Sequence, residues 1–301
     1  MSTAKLLEVD RARYQRDLER VTGARPPGTK HWRAVQDFCA KRLDALGYVV
    51  ERHRYATGVN IIGKRLGTAC PNEQVLVSAH YDGVSDCPGA DDNASGVAGA
   101  LEVARLLAAR DHGRTSIVAL WDEEERGLVG SRAYALRARV RGEVIRAAYV
   151  FEMIGYRNGE ANSQRLPPGF DLLFPEQAKQ IRDRESRGDF IAVVTDERET
   201  SQVAAALLKI AGWHSGLPVI ILPLAADQKN SPLFSILRRS DHAAFWLADY
   251  PAIMITDTAE FRNTHYHCGA GPDTVDRLDV DFAAKIILAT AVSALEMLKV
   301  I

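Results

Sequence analysis

Long apolar runs are missing from this chain. The most apolar stretch, residues 217–226, is interrupted by Pro218 and Pro223. It falls well short of the about 20 consecutive apolar residues that a membrane span requires, so no membrane partner is expected. Cysteine is scarce as well. Cys39, Cys70, Cys87 and Cys268 are scattered and form no C-x-x-C pair, which removes the usual cysteine-based zinc and redox motifs. Such thiols read as small buried hydrophobes in a reducing compartment, with Cys268 set apart because it adjoins His267. Charge of one sign is not in excess: 38 Lys and Arg face 39 Asp and Glu, a net charge of −1, so nothing points to nucleic acid or an anionic surface as partner. The first ten residues hold no apolar core and no small-residue cleavage site. A secretory leader is therefore not read, and a cytoplasmic location is expected. Also absent are a G-x-S-x-G elbow, an H-E-x-x-H helix and a G-x-G-x-x-G loop, which leaves serine-hydrolase and dinucleotide readings without support.

The 301 residues that remain are 47% apolar and 26% charged, the balance of a globular enzyme with a substantial core. No repeat, low-complexity segment or linker divides them, so a single domain over 1–301 is expected. Residues 1–47 read as helical. Tyr14, Leu18 and Val21 recur at helical spacing before Gly23 and Pro26-Pro27, and Trp32, Val35, Cys39, Leu43 and Leu46 form a second stripe ending at Gly47. Strands then alternate with helices. Strands are predicted at 48–55, 59–64, 74–79, 116–121, 147–151, 190–195, 218–222 and 252–256, with a helix after Asn93 and a long one over about 279–300. The pattern predicts an α/β fold with a mixed, mainly parallel twisted sheet between helices. Residues 155–189 read as irregular, and 155–240 as an insertion that supplies a substrate pocket.

Polar residues gather at the strand ends, where open α/β sheets bind ligands. His80-Tyr-Asp82 follows one strand, and Gly89-Ala-Asp-Asp-Asn-Ala-Ser-Gly96 opens the next helix. Trp121-Asp-Glu-Glu-Glu-Arg-Gly-Leu-Val-Gly-Ser131 follows a second strand, Glu152 ends a third, and Tyr266-His267 comes late in the chain. Imidazole and carboxylate are ligands that zinc takes. A pair of ions about 3.5–4 Å apart needs a carboxylate reaching both, further ligands for each, and one unligated base. Asp92 is the candidate bridge, His80 and Glu152 the ligands of one ion, and Glu125 and His267 those of the other. Glu124 is left as the base, and Asp82 is placed to hold the His80 imidazole N–H.

Each residue alone has a plainer reading. An isolated histidine at a strand end is usually structural, an acidic run is usually a solvated turn, and Asp91 and Asp92 can cap a helix. Asp91 is expected to be a solvated neighbour. His265 competes with His267. Asp241 and His242 face the site or merely pack, and Arg262 pairs with a substrate carboxylate or with a neighbouring acid.

Taken together these residues resemble the zinc aminopeptidase family of the co-catalytic double-zinc aminopeptidases, metallopeptidase family twenty-eight. Its relatives include glutamate carboxypeptidase, glutaminyl cyclase and the transferrin receptor ectodomain. The matching pieces are His80-Tyr-Asp82-Gly-Val, residues 89–96, Glu124-Glu-Arg-Gly-Leu-Val-Gly-Ser131, Glu152-Met-Ile-Gly-Tyr156, Ser240-Asp-His242, Arg262-Asn-Thr-His-Tyr-His267 and Asp273-Thr-Val-Asp-Arg-Leu-Asp279.

The resemblance implies a hydrolase that cleaves an N-terminal peptide or aminoacyl-amide bond with two zinc ions. It makes His80, Asp92, Glu125 and His267 the matching ligands and Glu124 the base. It also implies a cis peptide at Asp92–Asn93, and Tyr266 as a phenol supporting the oxyanion. Glu152 departs from the more common Asp, and Cys268 from the more common Thr. Single-zinc cyclase chemistry is one alternative, against which His80 counts. Others are a carboxypeptidase or acyl-amino-acid hydrolase with an arginine reader, and a non-catalytic binding protein on the same fold. Oligomeric state has no sequence signal.

Overall fold

The computed structural model describes residues 7–300. Residues 1–6, on which part of the leader reading rests, lie outside them. The chain runs α1 (Arg11–Val21), α2 (Lys30–Asp44), β1 (Val49–Arg54), β2 (Val59–Arg65), β3 (Cys70–His80), α3 (Gly96–Ala108), β4 (Arg114–Trp121), α4 (Val129–Val140) and β5 (Val144–Glu152). It continues through α5 (Phe170–Leu173), α6 (Pro175–Asp183), β6 (Ile191–Thr195), α7 (Glu199–His214), β7 (Val219–Pro223), α8 (His242–Leu247), β8 (Ala252–Thr256) and α9 (Val280–Leu298).

The two N-terminal helices form as their stripes predict. Asp10 and Thr29 cap them by accepting from Arg13 N and Trp32 N, and Gly47 takes φ 79° just past the second. All eight strands lie within a few residues of their predicted positions and join one sheet in the order β1-β2-β4-β3-β5-β8-β6-β7. The contacts β3–β4, β3–β5, β5–β8 and β6–β7 are parallel, whereas β1–β2, β2–β4 and β6–β8 are antiparallel.

Alternation along the central strands feeds two cores. Val75, Val77, Val118, Tyr149 and Phe151 face α1, α2, α3, α7 and α9. Leu76, Ile117, Ala119, Ala148 and Ala192 face α4, α6 and α8 on the other side. A strand covered on both faces reads as a near-continuous apolar run, which is why the central ones were legible.

Residues 155–240 are more than an appended loop. They supply β6, α7 and β7 to the sheet, and the stretch read as irregular folds into α5 and α6, which bury Phe170, Ala178 and Ile181. Among the described residues, no helix is long and apolar enough to cross a membrane.

The free-thiol reading is corrected in part. Cys87 and Cys268 form a disulfide across 181 residues of sequence, whereas Cys39 and Cys70 are free. Widely separated cysteines carry no pairing signal until the fold brings their turns together.

Candidate metal centre

Three adjacent strands deliver the first side chains. The parallel register sets His80 opposite Trp121 and Ser78 opposite Val150, so His80, the 122–125 turn and Glu152 emerge at one edge of the sheet. Between β3 and α3 the chain makes a tight turn through Asp92. Gly89 opens that turn at φ 58°, and any side chain there would run into the Asp92 carbonyl. The Asp92–Asn93 peptide is cis. Asn93 ties the turn to the end of β5, donating to Phe151 O at 2.9 Å and accepting from Met153 N at 3.1 Å. Asp273 accepts the amides of Asp91 and Asp92 at 2.9 and 3.1 Å.

All five expected ligands converge. His80 Nε2 lies 3.3 Å from Asp92 Oδ1 and 3.6 Å from Glu152 Oε2. His267 Nε2 lies 3.1 Å from Asp92 Oδ2 and 3.2 Å from Glu125 Oε2. The sets His80, Asp92, Glu152 and Asp92, Glu125, His267 each keep their donor atoms within 4.8 Å of one another. They share Asp92, which turns one carboxylate oxygen to each imidazole.

The donor set fits zinc. With bonds of about 2.0–2.1 Å, two ligand atoms on a tetrahedral zinc stand about 3.3 Å apart, the spacing seen here. Asp92 Oδ1 and Glu125 Oε1 are buried without a hydrogen-bond partner among the described residues, and buried polar atoms left this way call for a ligand.

The electrostatics agree. Burial alone would lower the pKa of His267, but Asp92 and Glu125 push it up to about 10. Burial likewise opposes protonation of His80, and Glu124 and Glu152 drive its pKa well above the ordinary imidazole value. Burial works to raise the Asp92 pKa, and the two imidazoles hold it below the usual carboxylate range. The cluster draws positive charge to its centre.

Glu124 faces the same centre, grouped with His80 and Glu125, and is 8% exposed. Burial raises its carboxyl pKa well above the ordinary value, His80 pulls the other way, and Glu152 and Asp241 add to the rise. Asp82 accepts from Glu124 N at 3.0 Å and Glu125 N at 3.3 Å, and its Oδ1 lies 3.5 Å from His80 Nδ1. It therefore orients the two glutamates as well as the imidazole. Tyr266 stacks on His267, with ring centroids 3.9 Å apart.

Other expectations change. Asp91 is fully buried, not solvated: it accepts from Gly155 N and Asn263 Nδ2, both at 2.9 Å. Arg262 is buried too. It donates to Gln164 Oε1, Tyr156 O and Phe190 O. His242 is structural, 2.8 Å from Leu237 O and edge-on to Trp246. Burial lowers its pKa to about 4. Asp241 is wholly buried, and neither oxygen has a hydrogen-bond partner among the described residues; burial pushes its pKa up to about 7 against the pull of His80. His265 belongs to none of the donor clusters among the described residues.

Three contributors were given no role from the sequence, although Ser240 lies in the matching piece Ser240-Asp-His242. Arg25 is buried and spans the carbonyls of Gly23, Tyr81, Pro88, Gly89 and Asp92, fastening the Asp92 turn from below. Ser240 donates to Glu152 Oε2 at 2.6 Å, aiming the longer side chain that replaces aspartate. Arg239 bonds to the Tyr266 hydroxyl. Beside Glu152 and Tyr266 opens a cavity of about 820 Å³ including its mouth, walled by Phe170, Phe190, Val194, Leu222 and Met254, with Arg165, Arg239 and Glu260 also in its lining.

The chain is similar to known peptidases in sequence and fold. The model of peptidase family M28 matches residues 60–207. The protein YfbL of Escherichia coli (strain K12) is 36% identical over 228 residues, covering 71% of this chain and 64% of its own length. A probable zinc metalloprotease of Pyrenophora teres is 28% identical over 75% of this chain and 49% of its own. The chain thus spans between about half and two thirds of these relatives. Among solved structures, the LapA aminopeptidase of Legionella pneumophila superposes with a TM-score of 0.72 over 97% of this chain and 72% of that one, at 17% identity. At that identity the likeness concerns the fold.

Proposed function

The chain carries a domain of peptidase family M28, and on that premise we propose that it is a zinc aminopeptidase using two ions to cleave the first amide bond of a peptide or aminoacyl amide. The observation that carries this reading is the pair of donor clusters sharing the Asp92 carboxylate, beside which Glu124 groups with His80 and Glu125. His80, Glu152 and Asp92 would hold one ion, and Glu125, His267 and Asp92 the other. When bound, such ions supply Lewis acidity and lower the pKa of a bound water towards 7.

The remaining work falls to the chain. Glu124 takes the proton from the attacking water and hands it to the leaving amine. Its buried position favours keeping that proton until the amine needs it. Asp82 holds Glu124, Glu125 and His80 in register. The Tyr266 hydroxyl donates to the oxygen that gains charge as the carbonyl is attacked.

The amino end is favoured because the cavity meets the acidic donor cluster at Glu152, and that cluster would attract an α-ammonium group. The arginine considered as a carboxylate reader, Arg262, is buried among backbone carbonyls. Single-ion cyclase chemistry is disfavoured by the complete His80 cluster. The disulfide removes the free-thiol support for a cytoplasmic location, and it favours an oxidising compartment.

Exhaustive chelation should abolish hydrolysis of leucine p-nitroanilide, zinc should restore it, and N-acetyl-leucine p-nitroanilide should resist cleavage. Full activity after verified metal loss would end the zinc reading. Cleavage of the acetylated substrate would end the amino-end reading.

A further inference from the structure

The phenol of Tyr266 has one hydrogen-bond partner among the described residues, and that partner is a cation. Arg239 Nη2 lies 2.9 Å from Tyr266 Oη, and the guanidinium carbon is 5.7 Å from the ring centroid. A guanidinium has donors only, so the phenol oxygen accepts and its own hydrogen stays free to donate elsewhere. The ring is fixed from a second direction by its stack on His267 at an interplanar angle of 21°. The other arm of Arg239 is anchored by Glu260 Oε1. Arg239 and Glu260 are 45% and 33% exposed, and an ion pair that open contributes little to stability. Stability therefore gives no account of the arrangement. The residue after Arg239 is Ser240, which aims Glu152, and Arg239, Glu152 and Tyr266 share the wall of the apolar cavity.

We propose that Arg239 is a positioning residue for the reaction: it holds the Tyr266 hydroxyl with its hydrogen facing the scissile carbonyl oxygen. Its charge also strengthens that donor. A charge-assisted bond to the phenol oxygen polarises the O–H, and preorganised donors of this kind act where negative charge develops. Glu260 keeps the guanidinium in place. The inference rests on the proposed role of Tyr266 in amide hydrolysis.

The experiment compares zinc-loaded wild type, Arg239→Met, Arg239→Lys, Tyr266→Phe and the Arg239→Met/Tyr266→Phe double variant on leucine p-nitroanilide, with zinc content measured for each. Tyr266→Phe should lower kcat by about 10²–10³-fold, the cost of one oxyanion donor. Arg239→Met should lower kcat by about 10–10²-fold with KM and zinc content nearly unchanged, and Arg239→Lys should recover part of the loss. In the Tyr266→Phe background the Arg239→Met change should matter by less than about threefold, because the two act as one unit. Binding of leucine phosphonic acid, whose tetrahedral oxygens mimic the addition state, should weaken in Arg239→Met in step with kcat. A rise in KM at constant kcat, unchanged activity, or an equal loss in the Tyr266→Phe background would each overturn the proposal. Inactive zinc-loaded wild type would instead overturn the reading on which it rests.

Discussion

Glu124 and Glu125 are neighbours in sequence and sit in different fields. Glu125 points an oxygen at His267, 3.2 Å away, while Glu124 is buried beside Glu152 and Asp241 with its pKa raised. A ligand and a base respond differently when neutralised. Glu124→Gln should keep both zinc ions and lose about 10²–10⁴-fold in kcat with little change in KM, as expected for a group that only moves protons. Glu125→Gln should lose the ion on the His267 side and regain part of its activity at high zinc. Metal analysis beside steady-state kinetics separates them. The reverse assignment would mean that the roles are exchanged, and no effect from either change would sink the catalytic reading.

These two residues were legible from sequence because acids and histidines at strand ends are few and their chemistry is distinctive. Arg25 was not, since an arginine bonded only to backbone carbonyls leaves no pattern of side chains to read. Asp91 was misread for a related reason. A carboxylate next to a ligand looks solvated until Gly155 and Asn263 are seen to close over it.

At the scale of elements, strands covered on both faces announced themselves by composition, and the site followed from where they end. The late turns were harder. His267 and Cys268 take φ 50° and 61°, a left-handed conformation that costs a non-glycine residue energy and needs support from its surroundings. The bridge from Cys268 to Cys87 provides that support. It joins the turn bearing His267 to the segment five residues before Asp92, so the bridging carboxylate and the last imidazole are tethered to each other covalently. The paired substitution Cys87→Ala/Cys268→Ala should therefore do two things. It should lower the unfolding free energy by about 2–5 kcal/mol, the usual cost of losing a native disulfide. It should also release the ion on the His267 side more readily than its neighbour. Denaturant melts, together with zinc retained after dialysis against a weak chelator, test both. Equal loss of the two ions, or none, would show that the bridge serves the fold alone.

On the scale of the whole molecule, two regions distant in sequence meet at one opening. The N-terminal half of the chain supplies the base and most of the ligands, whereas β6, β7, β8 and the segments around α5 supply an apolar cavity against Glu152. This division explains why the candidate ligands could be named one by one, whereas the pocket could be placed only by region, in 155–240, without its wall residues. Catalytic ligands are set by residue type at fixed turns, but a pocket wall is made of ordinary core residues whose only distinction is a missing neighbour. Ala192 is such a residue, 2% exposed on β6 and lining the cavity. If the cavity receives the side chain of the substrate's first residue, transfer of that side chain out of water should set preference, at about 1.5–3 kcal/mol for a leucine-sized group. Leucyl p-nitroanilide should then exceed glycyl p-nitroanilide in kcat/KM by roughly 10–10²-fold, the range that apolar pockets achieve. Ala192→Phe, which adds bulk to the cavity wall on the far side of β8 from Glu152, should erase most of that ratio by slowing the leucyl substrate while sparing the glycyl one and leaving zinc content intact. A loss shared equally by both substrates would mean that the change had damaged the centre itself. An unchanged ratio would mean that the side chain binds elsewhere.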